Sequence, residues 1–336
     1  PEVDLLHFWL ADGTNNQCEC ENCQIAIPSD FYVMMLNELD ELLTEKSIER
    51  KIVFLIYVDL LWPPQQQKIR NPDCFVMMYA PITRTYRSTF DTDKDIPSIP
   101  PFERNNCKFP NSVEANLSFL KAWQNQFQGD SFDFDYHYMW AHYGDPGYYN
   151  IAQILHKDLQ NLENIGLNGF VSCQTQRAFF PSGLGMHVMG RTLWNRELEF
   201  VSIQEKYFRG AFGENSELVS EYLSKLSELF QALQDLKQDK AAIDETEKIK
   251  DFTPIIERNM DTGDKCIQNS WRYLEIHQQI CIRLAMIYEA ISKDEKPRVK
   301  KLWGEIKALV QEKEDELQTV FDVYLFISTL ERKLNQ

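Results

Sequence analysis

The sequence predicts an α/β chain: the C-terminal part, about five strands, of a TIM (β/α)8 barrel, followed by an all-α helical bundle domain. Three observations predict it. Short apolar runs alternate with longer amphipathic ones through the first half, the pattern of parallel strands joined by crossover helices. Polar and aromatic residues collect directly after each apolar run, where TIM barrels keep their chemistry. After Trp194 the sequence turns to Glu, Lys, Leu and Gln at helical spacing, sparing in Gly and Pro.

The first strand is expected at Asp4 to Leu10, and a helix at Phe31 to Leu43. Ile52 to Val58 (IVFLIYV) and Cys74 to Ala80 (CFVMMYA) are almost continuously apolar, as strands covered on both faces should be. A helix from Val113 to Phe127 leads to a strand at Ser131 to Tyr138, and a helix from Ile151 to Asn164 leads to the last strand, Gly169 to Cys173. Five strands do not close an eight-stranded barrel, so the N-terminal strands are expected to be missing from this sequence. An open doubly wound sheet is the rival, but the glycine-rich phosphate loop that such sheets carry after the first strand is absent from the sequence.

The barrel part is placed at residues 1–198 and the helical domain at 199–336. In the latter, Leu218, Tyr222, Leu226 and Leu229 form one apolar stripe, Ile267, Trp271, Leu274 and His277 a second, and Leu309, Leu317 and Phe321 a third, which predicts about five helices. With 336 residues, 43% of them hydrophobic and 12% aromatic, the chain can bury two cores. Its formal charge of -16 argues against nucleic acid and anionic lipid as partners. No apolar run in the sequence approaches the length of a membrane span. Oligomeric state is left open.

Carboxylates, aromatic rings and a guanidinium group at strand ends suit sugars: rings stack on C–H faces, and charged groups bind hydroxyls. Asp12, Asp59 and Asp135 are the candidate catalytic carboxylates, since glycoside hydrolysis needs a pair. Trp62, Arg84, Tyr86, Tyr136, His137, Trp140 and Gln174 are the candidate sugar-binding residues. Asp133 shares a strand face with Asp135 and His137. Cys18, Cys20 and Cys23 form a C-x-C-x-x-C cluster that suits a structural zinc ion, with a fourth ligand such as His142 or Cys107; a loop disulfide or free thiols are the alternatives. Catalysis itself calls for no cofactor. Cys173 and Cys281 lie in apolar stretches and are expected as buried thiols.

The ordered set Ala11-Asp12-Gly13, Cys18-x-Cys20-x-x-Cys23, Tyr57 with Pro63-Pro64, Phe134-Asp135-Tyr136-His137-Tyr138, Gly166-x-x-Gly169-Phe170, Leu193-Trp194-Asn195 and Tyr207-Phe208-x-Gly210-x-Phe212-Gly213 resembles the bacterial domain of unknown function 4838 family. The resemblance covers roughly residues 5–235. It implies a glycoside-hydrolase-like TIM barrel with a helical C-terminal region, acting on a polysaccharide or glycan in a periplasmic or secreted setting. In that family the Asp-Gly turn follows a mid-barrel strand, so the five strands here look like the fourth to the eighth. Related α-glucuronidase and hexosaminidase barrels place a catalytic acid after the fourth strand, a role the resemblance carries to Asp12 alone. Ala11 departs from the Asn usual there, and Gln174 and Gln176 stand where a carboxylate is expected. Those departures keep a second expectation open, a non-catalytic carbohydrate-binding protein on a degenerate barrel.

Overall fold

The computed structural model describes residues 3–90, 94–235 and 242–334. The chain divides into two compact units, one of Pro1–Tyr136 with Asn161–Cys173, the other of His137–Gln160 with Gln174–Gln336. The units therefore interleave instead of meeting at a single break near residue 198. The physical reason is the content of segment 137–160. Its Tyr143, Tyr148, Tyr149 and Ala152 are buried in the hydrophobic core of the helical unit.

In the first unit the described strands are β1 (Leu5–Phe8), β2 (Lys51–Ile56), β3 (Phe75–Tyr79), β4 (Asp130–Asp135) and β5 (Phe170–Ser172). They form one sheet in the order β1-β2-β3-β4-β5, every neighbouring pair parallel. Each lies inside or within one residue of its expected run. The register aligns Phe8 with Phe54, Phe54 with Met77, and Met77 with Ser131.

The sheet is curled. Three strand gaps separate β1 from β4, about 14 Å in a flat sheet. Yet the ring of Trp9, just past β1, meets that of Phe134 on β4 at 6.1 Å between centroids. Only bending toward that face brings the two together.

A short α1 (Glu21–Gln24) lies in the loop after β1, and the opposite face carries α2 (Pro28–Glu45) and α3 (Val113–Gln124). Pro28 opens α2, where a missing N–H costs nothing. Ser112 caps α3, its hydroxyl accepting the Ala115 N–H at 3.1 Å. Tyr32 of α2 donates its hydroxyl to Phe8 O and accepts the Leu55 N–H at 3.1 Å. Trp123 of α3 packs on Phe54 and donates to Leu60 O and Leu61 O, both at 3.0 Å. β1 pairs only with β2 among the described residues, and Leu5, Leu6, Trp9 and Leu10 are exposed.

The second unit holds α4 (Asn150–Asn161), α5 (Leu184–Trp194), α6 (Phe200–Phe212), α7 (Ser216–Asp235), α8 (Ala242–Lys250), α9 (Thr253–Arg258), α10 (Lys265–Ser292), α11 (Lys296–Glu312), α12 (Glu314–Leu317) and α13 (Val323–Leu334). Helices α6, α7, α10, α11 and α13, each of 12 residues or more, correspond to the expected bundle. Trp271, Leu274, His277, Leu317 and Phe321 are buried as their stripes predict. Leu218 is not: it is 41% exposed, and α7 buries Val219, Tyr222, Leu223, Leu226 and Phe230 instead. Leu218 lies one position, about 100°, off that stripe. Among the described residues no helix is long and apolar enough to cross a membrane.

Candidate functional site

Alternation along the strands sorts the side chains onto two faces. Phe8 stacks on Tyr32, and Phe54 meets Trp123 at a tilt with 5.8 Å between ring centroids, so their parity points to the helices. Register carries that parity to Tyr79, Asp133 and Asp135. The opposite parity holds Trp9, Tyr57, Phe134, Tyr136 and Cys173, on the face toward which the sheet curls. The candidate site is built where these residues meet, at the C-terminal ends of the strands.

Tyr57 follows β2 and donates its hydroxyl to Asp12 Oδ1 at 3.1 Å. Asp12 is exposed; Tyr57 is half-buried. Burial, and then the hydrogen bond to Asp12, push the Tyr57 hydroxyl up to about 12, so it stays a donor at neutral pH. Tyr136 follows β4 and is buried, with its ring against Phe134 at 5.5 Å. Burial raises its hydroxyl pKa, and the nearby Tyr57, Cys173 and Asp12 raise it further. Burial likewise raises the thiol of Cys173, which is half-buried here rather than fully buried. Trp9, 45% exposed, closes the group with edge contacts to His7 and Phe134. The result is an aromatic floor with hydroxyl and carboxylate groups at its rim.

Asp135 lies on the other face. It is fully buried with Arg84, whose Nη1 stands 3.4 Å from Asp135 Oδ2. Arg84 also lies over the rings of Tyr86 and Phe90, at 4.7 and 4.0 Å. Tyr86 accepts the Tyr136 N–H at 3.1 Å, and burial holds its hydroxyl well above the usual range. Arg84, Tyr86, Asp135 and Tyr79 thus form a polar core under the helices, with Asp133 buried beside them.

Asp59, 7% exposed in the turn after β2, anchors the loop that follows β1. Its Oδ2 accepts the Asn15 N–H at 3.1 Å and the Gln17 side-chain amide. Trp62 is buried against Phe102, Phe109 and Phe119 and donates to Pro100 O at 2.8 Å, a packing role. Asp30, which sequence reading passed over, is buried in α2. Its Oδ1 accepts the N–H groups of Gln65, Gln66 and Gln67 at 2.9, 2.7 and 3.0 Å.

His137, Trp140 and Gln174 belong to the helical unit. His137 is buried with Nε2 3.0 Å from Asp158 Oδ2, while Trp140 packs on the hydrophobic core. Gln174 is half-buried. His142 is buried too, its pKa lowered to about 3 by desolvation. A groove of about 480 Å³ between α6 and α7 is lined by Tyr149, Glu205, Arg209, Glu217, Glu221 and Lys225, the mixed charges of a solvated helical face.

Among the described residues, Cys18, Cys20 and Cys23 form a cluster whose sulfur atoms all lie within 4.8 Å of one another. Cys107 is not part of it. That thiol donates to Glu103 O at 3.4 Å, and burial followed by the charge of Asp59 pushes it up to about 12.

Of the residues singled out from sequence, Asp12 and Tyr136 come together on the open face, and Arg84, Tyr86 and Asp135 on the covered one. Tyr57 and Trp9 were not among the candidates. The signal that marks them is parity, since both share strand phase with Phe134 and Tyr136 and not with the helix-facing Phe8 and Phe54.

Comparison of the chain with protein-family models, curated proteins and solved structures returned no match.

Proposed function

We propose that this chain is carbohydrate-active, as the last five strands of a glycoside-hydrolase-like TIM barrel, and that the curled sheet face binds a glycan. The observation that carries this reading is the Asp12–Tyr57 hydrogen bond set at the rim of the Trp9, Phe134 and Tyr136 rings. Aromatic faces take the C–H surface of a sugar, and a carboxylate with a phenol takes its hydroxyls. The resemblance to the domain of unknown function 4838 family supports the same substrate class.

Hydrolysis of the bound glycan is the second reading. It is favoured by Asp12, an exposed carboxylate at the end of the strand where the resembling barrels keep an acid. Asp59 and Asp135 are less suited to the second catalytic place, because both are buried and bonded to structural partners. The two readings separate in one experiment on the full-length protein, titrated with a panel of oligosaccharides by calorimetry and assayed for reducing ends. Trp9→Ala should weaken binding by about tenfold, the worth of one stacking contact near 1.4 kcal/mol. Asp12→Asn should keep most of the binding and abolish any turnover. A wild-type chain that binds no oligosaccharide at millimolar concentration would remove the carbohydrate reading; binding without turnover would leave the binding protein.

A further inference from the structure

The C-x-C-x-x-C segment takes no part in the glycan reading, yet its loop is held by a dense set of hydrogen bonds. Three groups from segment 103–107 hold it. Arg104 donates to the carbonyl oxygens of Cys18, Cys23 and Ala26, at 3.3, 2.8 and 2.6 Å. Asn105 and Gln17 exchange backbone-to-side-chain hydrogen bonds in both directions, at 2.7 and 3.1 Å, and Asn105 also reaches Gln17 O and Glu19. The Asn15 side chain donates to Cys107 O at 3.3 Å and accepts the Cys107 N–H at 2.6 Å, while Asp59 accepts the Asn15 backbone N–H. Asn15 and Asn105 both adopt positive φ, 50° and 57°, a conformation that Asn tolerates better than most residues.

This bracing acts on the backbone and leaves the three thiols converging. Cys18 and Cys20 are exposed, Cys23 half-buried, and all three are free. A tetrahedral zinc ion with Zn–S bonds near 2.3 Å sets its sulfurs about 3.8 Å apart. Three sulfurs within 4.8 Å reach that spacing by side-chain rotation, with the backbone already fixed.

We propose that Cys18, Cys20 and Cys23 form a three-thiolate site for zinc, with its fourth position open to solvent and Arg104 as the residue that positions the loop. Binding displaces up to three thiol protons to solvent and needs no oxidant or reductant. The site is independent of the glycan reading, which can fail without it.

The test uses the reduced full chain and zinc chloride alone. Competition against a chromophoric chelator should show one equivalent bound. Alkylation followed by peptide mass spectrometry should show zinc protecting Cys18, Cys20 and Cys23 while Cys266, also exposed, still reacts. Replacing any one of the three by Ser should weaken binding by more than about 100-fold, and Arg104→Ala by about tenfold, the usual effect of a supporting residue. Cobalt should give thiolate-to-metal charge-transfer absorption that the triple Ser variant lacks. Zinc that protects none of the three, or binds the triple Ser variant equally well, would overturn the proposal. So would recovery of the cluster as a disulfide that zinc does not prevent.

Discussion

The two units of this chain are held by different mixtures of apolar and polar burial. The helical unit hides one continuous hydrophobic cluster running from Tyr143 to Leu330, and its ion pairs include surface i,i+3 and i,i+4 pairs such as Lys225–Glu221. Both units also bury charged groups: the helical unit holds His137 against Asp158, and the sheet unit holds Arg84 with Asp135, Asp133 beside them, Asp30 on three consecutive amides, and Asp59 on the loop after β1. Each unit also leaves apolar and aromatic side chains exposed, Leu5, Leu6 and Trp9 in the sheet unit, Trp194 and Tyr324 in the helical one. An apolar core is tolerant of detail and is held by its volume. A buried polar core is held by pairing, so each group is costly to orphan. The difference explains why strand-end carboxylates are a poor guide to chemistry here. Most of them fix loops, and the open face is left to aromatic residues and Asp12.

The largest expected effect tests the buried charges. Arg84→Met should destabilise the sheet unit by about 3–5 kcal/mol, because Asp135 would stay buried without this partner. Urea titration followed by tryptophan fluorescence measures it, and a loss below about 1 kcal/mol would mean that the pair is not what holds this core.

The matched change in the helical unit is Leu274→Ala at a fully buried position. It should cost about 2–5 kcal/mol through the cavity left behind, and Leu274→Met less than about 1.5. If the methionine variant lost as much as the alanine one, volume would not be the controlling quantity there.

Acid should sharpen the contrast further. Burial lowers His277, which shares its ring nitrogen with Pro146 O at 2.7 Å, to about 4. An unfolded histidine titrates near 6.5, so the unfolded state binds the extra proton between these values, and stability is lost as pH falls from about 6.5 toward 4. His142, lowered to about 3, adds to the same trend. Denaturation midpoints of the wild type and His277→Gln across that range should converge toward low pH. Parallel curves would exclude His277 as the source.

The smallest effect is expected at the surface of the helical unit. Lys225→Ala removes an exposed pair and should cost no more than about 0.5 kcal/mol, whereas Asp264→Ala, which removes the cap that accepts the Cys266 and Ile267 amides, should cost about 1. Equal losses in thermal melts would contradict that ranking.

Much of the fold was legible in the sequence, and the reasons are local. IVFLIYV and CFVMMYA become β2 and β3 because an apolar run that short can be covered on both faces only as a central strand. The start of α3 was read at Val113, where Ser112 caps it locally, whereas α2 begins at Pro28, three residues before the expected Phe31. The interleaving of the units was less legible. Tyr143, Tyr148 and Tyr149 look the same in sequence whether they line a sugar site or a helical core, and here they enter the core.

Sequence alone determined the five strands, their order, the parallel pairing that crossover helices require, and the spacing of Cys18, Cys20 and Cys23. It also split β4 into two sets, Asp133 with Asp135 and Phe134 with Tyr136, because strand side chains alternate. Which set meets the helices was decided only by tertiary structure. Alternation is symmetric between faces, and the choice depends on where Tyr32 and Trp123 pack and on the curl that brings Trp9 to Phe134. That choice buried Asp135 against Arg84 and left Tyr57 and Asp12 on the open face.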